Sequence, residues 1–156
     1  REKHTLMHIT NEEIERRVGI AAELREQGFN CSQAVFAACA DLYGIDRETA
    51  LRVSASFGGG IGQMRQTCGA ACGMFMLAGL ENGNTVPNQP QAKQTNYRLV
   101  QGLAAGFAEH NGGIICADLL GLGSGSPRQK RPCKEMIKDA VRQYLERVES
   151  LEKLES

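Results

Sequence analysis

The sequence predicts an all-α protein, a single-domain helical bundle around a buried central helix at about residues 67–81. Three observations carry that reading. Apolar residues recur every three or four positions along most of the chain, and no segment alternates in the strand manner. Cap and stop residues bracket the periodic stretches. From Cys68 to Leu80 there is neither a charged residue nor a proline, whereas a surface helix shows a polar face at each turn. That stretch is also shorter than the about 20 residues that span a bilayer.

Each element has its own signal. Thr10 followed by Glu13 forms a capping box and opens a helix on which Ile14, Val18, Ala21, Ala22 and Leu24 keep helical spacing, with Gly28 as its stop. Asn30 and Gln33 repeat the box ahead of Val35, Phe36, Ala38, Cys39 and Leu42, and Gly44 ends the run. Asp46 is the expected N-cap of a third helix reaching about Ser56. The glycine run 58–62 breaks the pattern, and Asn82-Gly83 closes the central helix. In that helix Gly69, Ala70, Ala71, Gly73, Ala78 and Gly79 leave room for close neighbours.

After a polar loop containing Pro87 and Pro90, a fifth helix is expected from about Ala92 to Glu109, ended by Asn111-Gly112-Gly113. A short helix from Ile114 to Leu120, a loop from Gly121 to Arg131, and a last helix opened by Pro132 complete the prediction. Residues 10–156 form the expected domain, with residues 1–9 a flexible N-terminal segment. His4 and His8, four apart, could share a helix face, but their position at the chain's start favours a frayed terminus over a metal pair.

The totals exclude several function classes. Lys plus Arg and Asp plus Glu both number 18 among 156 residues, so no broad nucleic-acid footprint is expected. Tyr, Phe and Trp number three, five and none, which supplies few stacking platforms for bases. No signal peptide, lipidation box or apolar run of membrane length is present, so no membrane insertion and a cytoplasmic setting are expected. The glycine run lacks the G-K-[ST] of a phosphate loop, and a flexible linker or close-packing bend is expected there instead. The basic stretch Arg128 to Lys134 reads as a solvated loop end. His110 falls at a helix end, where its charge suits the dipole.

The chemistry lies in the six cysteines. Cys31, Cys68, Cys116 and Cys133 each fall at or near the first turn of an expected helix, where free N–H groups and the helix dipole favour a thiolate. Cys39 and Cys72 fall mid-helix among apolar neighbours and read as core thiols, although Cys72 lies one turn from Cys68. No C-x-x-C or zinc-knuckle spacing is present, so any shared site must be assembled by the fold.

Those same four positions carry a resemblance. The block Cys68-Gly69-Ala70-Ala71-Cys72-Gly73, with Cys31 in FNCSQAV before it and Cys116 in ICADLLG and Cys133 in RPCKEM after it, resembles the redox-active C_GCAxxG_C_C family, over roughly Phe29 to Val141. The resemblance implies redox activity and a functional link to transporters. Cys72 occupies an unspecified position of the block, and Cys39 is additional.

Three functions are therefore expected. The first is a thiol–disulfide oxidoreductase working through Cys31, Cys68, Cys116 and Cys133, with Cys68 as attacking thiol and an unidentified redox partner. The second is a metal module in which the same four cysteines, with Cys72 as an additional candidate, hold zinc or an iron–sulfur cluster. The third is a helical interaction protein with inert cysteines. Gly102 and Gly106, four apart, suit a close helix contact within the chain or in a homo-oligomer.

Overall fold

The computed structural model describes residues 9–122 and 132–155, with side chains through Leu151. Seven α-helices occupy the described residues: α1 (Asn11–Glu26), α2 (Cys31–Cys39), α3 (Arg47–Ser54), α4 (Gly69–Asn82), α5 (Pro90–Asn111), α6 (Cys116–Leu119) and α7 (Cys133–Glu155). Short 3-10 turns at Ala40–Tyr43 and Ala55–Phe57 extend α2 and α3. No strand is present among the described residues, and Thr67 forms a single antiparallel bridge with Ile115. No helix there is long and apolar enough to cross a membrane.

The caps follow the sequence closely. Asn30 and Gln33 make a reciprocal capping box at α2, and Asp46 accepts from the Thr49 N–H at 3.1 Å. Thr10 accepts from the Glu13 N–H at 3.0 Å, but the Glu13 carboxylate turns to Arg16 and Arg17 instead of back to the cap. Pro90 stands at the first turn of α5, the position where its missing N–H costs nothing, so that helix begins before the expected Ala92. Ile9 is described and is buried against the core. His4 and His8, like the basic residues Arg128 to Arg131, lie outside the described residues.

The helix α4 packs against α2, α5 and α7. Its buried face runs through Ala70, Ala71, Met74, Leu77, Ala78 and Glu81, while Phe75, Met76, Gly79 and Leu80 are half-exposed. The small residues act mainly toward α2: a Cβ on Gly73 would stand 2.8 Å from Val35 Cβ. Gly79 has open space beside it. Gly102 and Gly106 on α5 are covered by Arg147 and Gln143 of α7, an internal contact.

Two polar groups tie the layers together. Arg17, buried on α1, donates to the Ala38 carbonyl at 2.9 Å and pairs with Asp41 at 2.6 Å. The Tyr144 hydroxyl of α7 lies 2.6 Å from the Tyr43 hydroxyl and 3.0 Å from the Leu77 carbonyl of α4, and the Tyr43 hydroxyl lies 3.1 Å from the Glu81 carboxyl, so the two phenol protons are shared along one chain of polar atoms. On the surface, Arg142 pairs with Glu15 at 2.7 Å and Lys134 with Glu26, which fixes α7 along α1.

Candidate functional site

The four cysteines singled out by helix position meet at one cavity. Cys31, Cys68, Cys116 and Cys133 all line a space of about 210 Å³, with Arg25, Arg65 and residues of the glycine run. Cys31 and Cys133 are the first residues of α2 and α7, Cys68 is the N-cap of α4, and Cys116 opens α6. The bundle thus points four helix starts at a common space. None of the six cysteines is in a disulfide.

The glycine run is what makes the convergence possible. Gly59, Gly60, Ile61, Gly62, Gln63 and Arg65 all have φ between 55° and 74°, a stretch of left-handed backbone. Each non-glycine residue there costs roughly 1–2 kcal/mol, and β-branched Ile61 is the least suited of them. The turn is held by backbone bonds from Gly62 N–H to Ser56 at 2.7 Å and from Gln66 N–H to Gly60 at 2.9 Å. It then joins the α6 segment: Cys68 N–H donates to Ile114 at 2.6 Å, and Cys116 N–H to Gln66 at 2.6 Å.

Close approach explains the glycines that line this site. A Cβ on Gly60 would stand 2.6 Å from Cys116 Cβ, and one on Gly69 would stand 3.3 Å from Cys31 Cβ. The expected bend is therefore a tightly wound turn that closes one wall of the cavity.

Burial overrides the helix dipole at two of the four thiols. Cys31 shares a hydrogen bond with Cys133, which together with burial holds its proton on and pushes the thiol up. Cys68 is 6% exposed. Desolvation pushes it up to about 11, against the opposing N–H groups of Ala71 and Ala70. The expected thiolate character of Cys31 and Cys68 is thus not what their surroundings produce, because a buried anion loses more hydration than one helix start returns. Arg65 donates from Nη1 to Cys116 Sγ at 3.7 Å.

The remaining two cysteines stand apart. Cys39 is fully buried at the end of α2, its thiol pushed up to about 12 by desolvation. Cys72 donates to the Thr67 carbonyl at 3.8 Å, and burial raises it to about 11. Neither lines the cavity. Among the described residues, no three Cys, His, Asp or Glu side chains are gathered closely enough to hold a metal ion.

Sequence reasoning missed Arg25 and Arg65. Arg65 follows the glycine run, and only the left-handed turn brings it back onto Cys116; no periodicity announces such a return. His110 forms a separate polar group with Asp139 at 3.0 Å, close to Gln143.

A family model, "Putative redox-active protein (C_GCAxxG_C_C)", matches residues 29–147, and this span includes all four cavity cysteines. No curated protein and no solved structure matches the chain.

Proposed function

Because the chain belongs to the C_GCAxxG_C_C family, we propose that its four signature cysteines carry out thiol–disulfide exchange in their shared cavity. The single observation behind this reading is the convergence of four helix starts, with their thiols, on one space. Cys133 is the attacking thiol in this proposal: it opens α7, and the Cys31 proton is shared toward it. Cys31 is the resolving thiol. The sequence pointed to Cys68 for the attack, but its burial favours a supporting role, paired with Cys116.

The chemistry proceeds in two displacements. The Cys133 thiolate attacks one sulfur of a substrate disulfide, forming a mixed disulfide and releasing a thiolate. Cys31 then loses its proton and attacks Cys133 Sγ, releasing the second thiolate and leaving a Cys31–Cys133 disulfide. Two electrons pass from the cysteine pair to the substrate, and the one proton that leaves is that of Cys31, since Cys133 enters as the thiolate. The reverse direction returns the pair to thiols.

The test is a thiol count before and after mild oxidation, with peptide mapping of the linked pair. Two thiols should disappear reversibly, and the mapped bridge should join Cys31 to Cys133. Changing Cys133 to Ser should abolish the loss, whereas Cys39→Ser should leave it intact. A full count of thiols after oxidation, with no bridge mapped, would reject the proposal.

The same four thiols have the donor chemistry for zinc or an iron–sulfur cluster. The described side chains are not gathered as a ligand set, so no step is derived through a metal. Iron with acid-labile sulfide, or stoichiometric zinc lost in Cys68→Ser, would move the protein to that class.

A further inference from the structure

The cavity's lining says what size and charge of substrate it suits. Its volume of about 210 Å³ lies below the range of about 300–1,000 Å³ usual for drug-sized ligands. Two of its thiols, Cys68 and Cys116, are only 6% and 8% exposed. The reacting pair, Cys31 and Cys133, is half-buried, and a cavity of this size admits a small disulfide more readily than one fixed in a folded protein, which brings two backbone segments with its Cα atoms about 5.5–6 Å apart.

The charge is as one-sided as the space is narrow. Arg25 and Arg65 line the cavity, and no Asp or Glu does so among the described residues. Among the described residues, Arg25 donates to the Phe29 carbonyl, at 3.3 Å, and Arg65 to Cys116 Sγ, which leaves further N–H groups on each guanidinium for a ligand. Glu26, beyond the lining, is already paired with Lys134. Two guanidinium groups beside four sulfurs form a place for a molecule carrying both sulfur and negative charge.

We infer that the substrate of this cavity is a low-molecular-weight disulfide bearing carboxylates or other anionic groups, held by Arg25 and Arg65 while its sulfur is attacked. This rests on the thiol–disulfide reading above. The small disulfide R–S–S–R accepts two electrons, leaves as two R–S⁻, and converts Cys31 and Cys133 into one disulfide, by the two displacements already described. Arg25 and Arg65 are binding residues here, and neither exchanges a bond.

The experiment uses the reduced full-length chain and three aliphatic disulfides of similar size. The probes are 3,3′-dithiodipropionate, which is dianionic, bis(2-hydroxyethyl) disulfide, which is neutral, and cystamine, which is dicationic. Each rate of Cys31–Cys133 bridge formation is divided by that of a free cysteine peptide with the same probe. The anionic probe should exceed the cationic one by roughly tenfold or more at low salt, a ratio that falls as salt rises. In the double variant Arg25→Gln, Arg65→Gln, the ratio should approach one, with retained helicity checked by circular dichroism.

Equal normalised rates, or a faster cationic probe, would overturn the inference while leaving dithiol exchange in place. Failure of all three probes to form the bridge would overturn the exchange reading itself, and the inference with it. If the double variant does not fold, the salt dependence of the unaltered protein still decides: a flat ratio rejects the role of charge.

Discussion

At the scale of the residue, the chemistry of this protein is a contest between helix position and burial. Helix starts favour thiolates, yet Cys68 sits at one and is pushed up to about 11 because water is excluded from it. Its alkylation should therefore rise to half-maximum near pH 11, about two units above an ordinary thiol, in a pH series read by mass spectrometry. The same shift links to stability. The folded chain keeps this proton when the unfolded chain has released it, so stability is fully present below pH 9 and is lost as the pH rises toward 11. Urea unfolding of the native chain and of Cys68→Ala should differ in slope across that window. The four cysteines that line the cavity were legible in the sequence as residues at or near helix starts. Their protonation was not, because it depends on which segments close over them.

At the scale of the element, the left-handed turn between α3 and α4 is the costly part of the design. Gly60 combines φ of 74° with contact to Cys116, so Gly60→Ala should destabilise the protein by roughly 2 kcal/mol or more in denaturant unfolding. Gly112→Ala is the informative comparison. It has φ of 94° but open space, so only the left-handed backbone cost of roughly 1–2 kcal/mol is expected. Helices were readable from cap to cap wherever a side chain marks the end, as at Asn30 and Asp46. The turn was not, since a run of glycines permits many conformations and only the Cys116 and Arg65 contacts select one. The start of α5 was misplaced for a plainer reason: Pro90 signals a first turn as well as a loop.

At the scale of the whole molecule, buried hydrogen bonds register the helices that periodicity alone leaves free to slide. Tyr144 bonds to Tyr43 and to Leu77 O, joining α7 to the end of α2 and to α4. Replacing Tyr144 by Phe keeps the ring and removes both bonds, so unfolding free energy should fall by about 1–3 kcal/mol. Because α7 begins with Cys133, the same change should also slow Cys31–Cys133 bridge formation. Single-domain helical architecture was legible in advance from spacing. The meeting of the four cysteines in space was not, because it depends on how helices distant in sequence are registered against each other.

The two halves of that meeting come from far apart along the chain, so the proposed oxidation would be a mechanical event as well as a chemical one. A Cys31–Cys133 bridge ties a loop of about 100 residues, which restricts the unfolded chain by up to about 5 kcal/mol. A Cys68–Cys116 bridge would lie nested inside that loop and add less. The oxidised form should therefore melt at a higher temperature than the reduced one. By the same cycle, the proposed bridge would have a lower reduction potential in the folded chain than in the unfolded one, and only a mutation that destabilises the oxidised and reduced forms unequally would retune it.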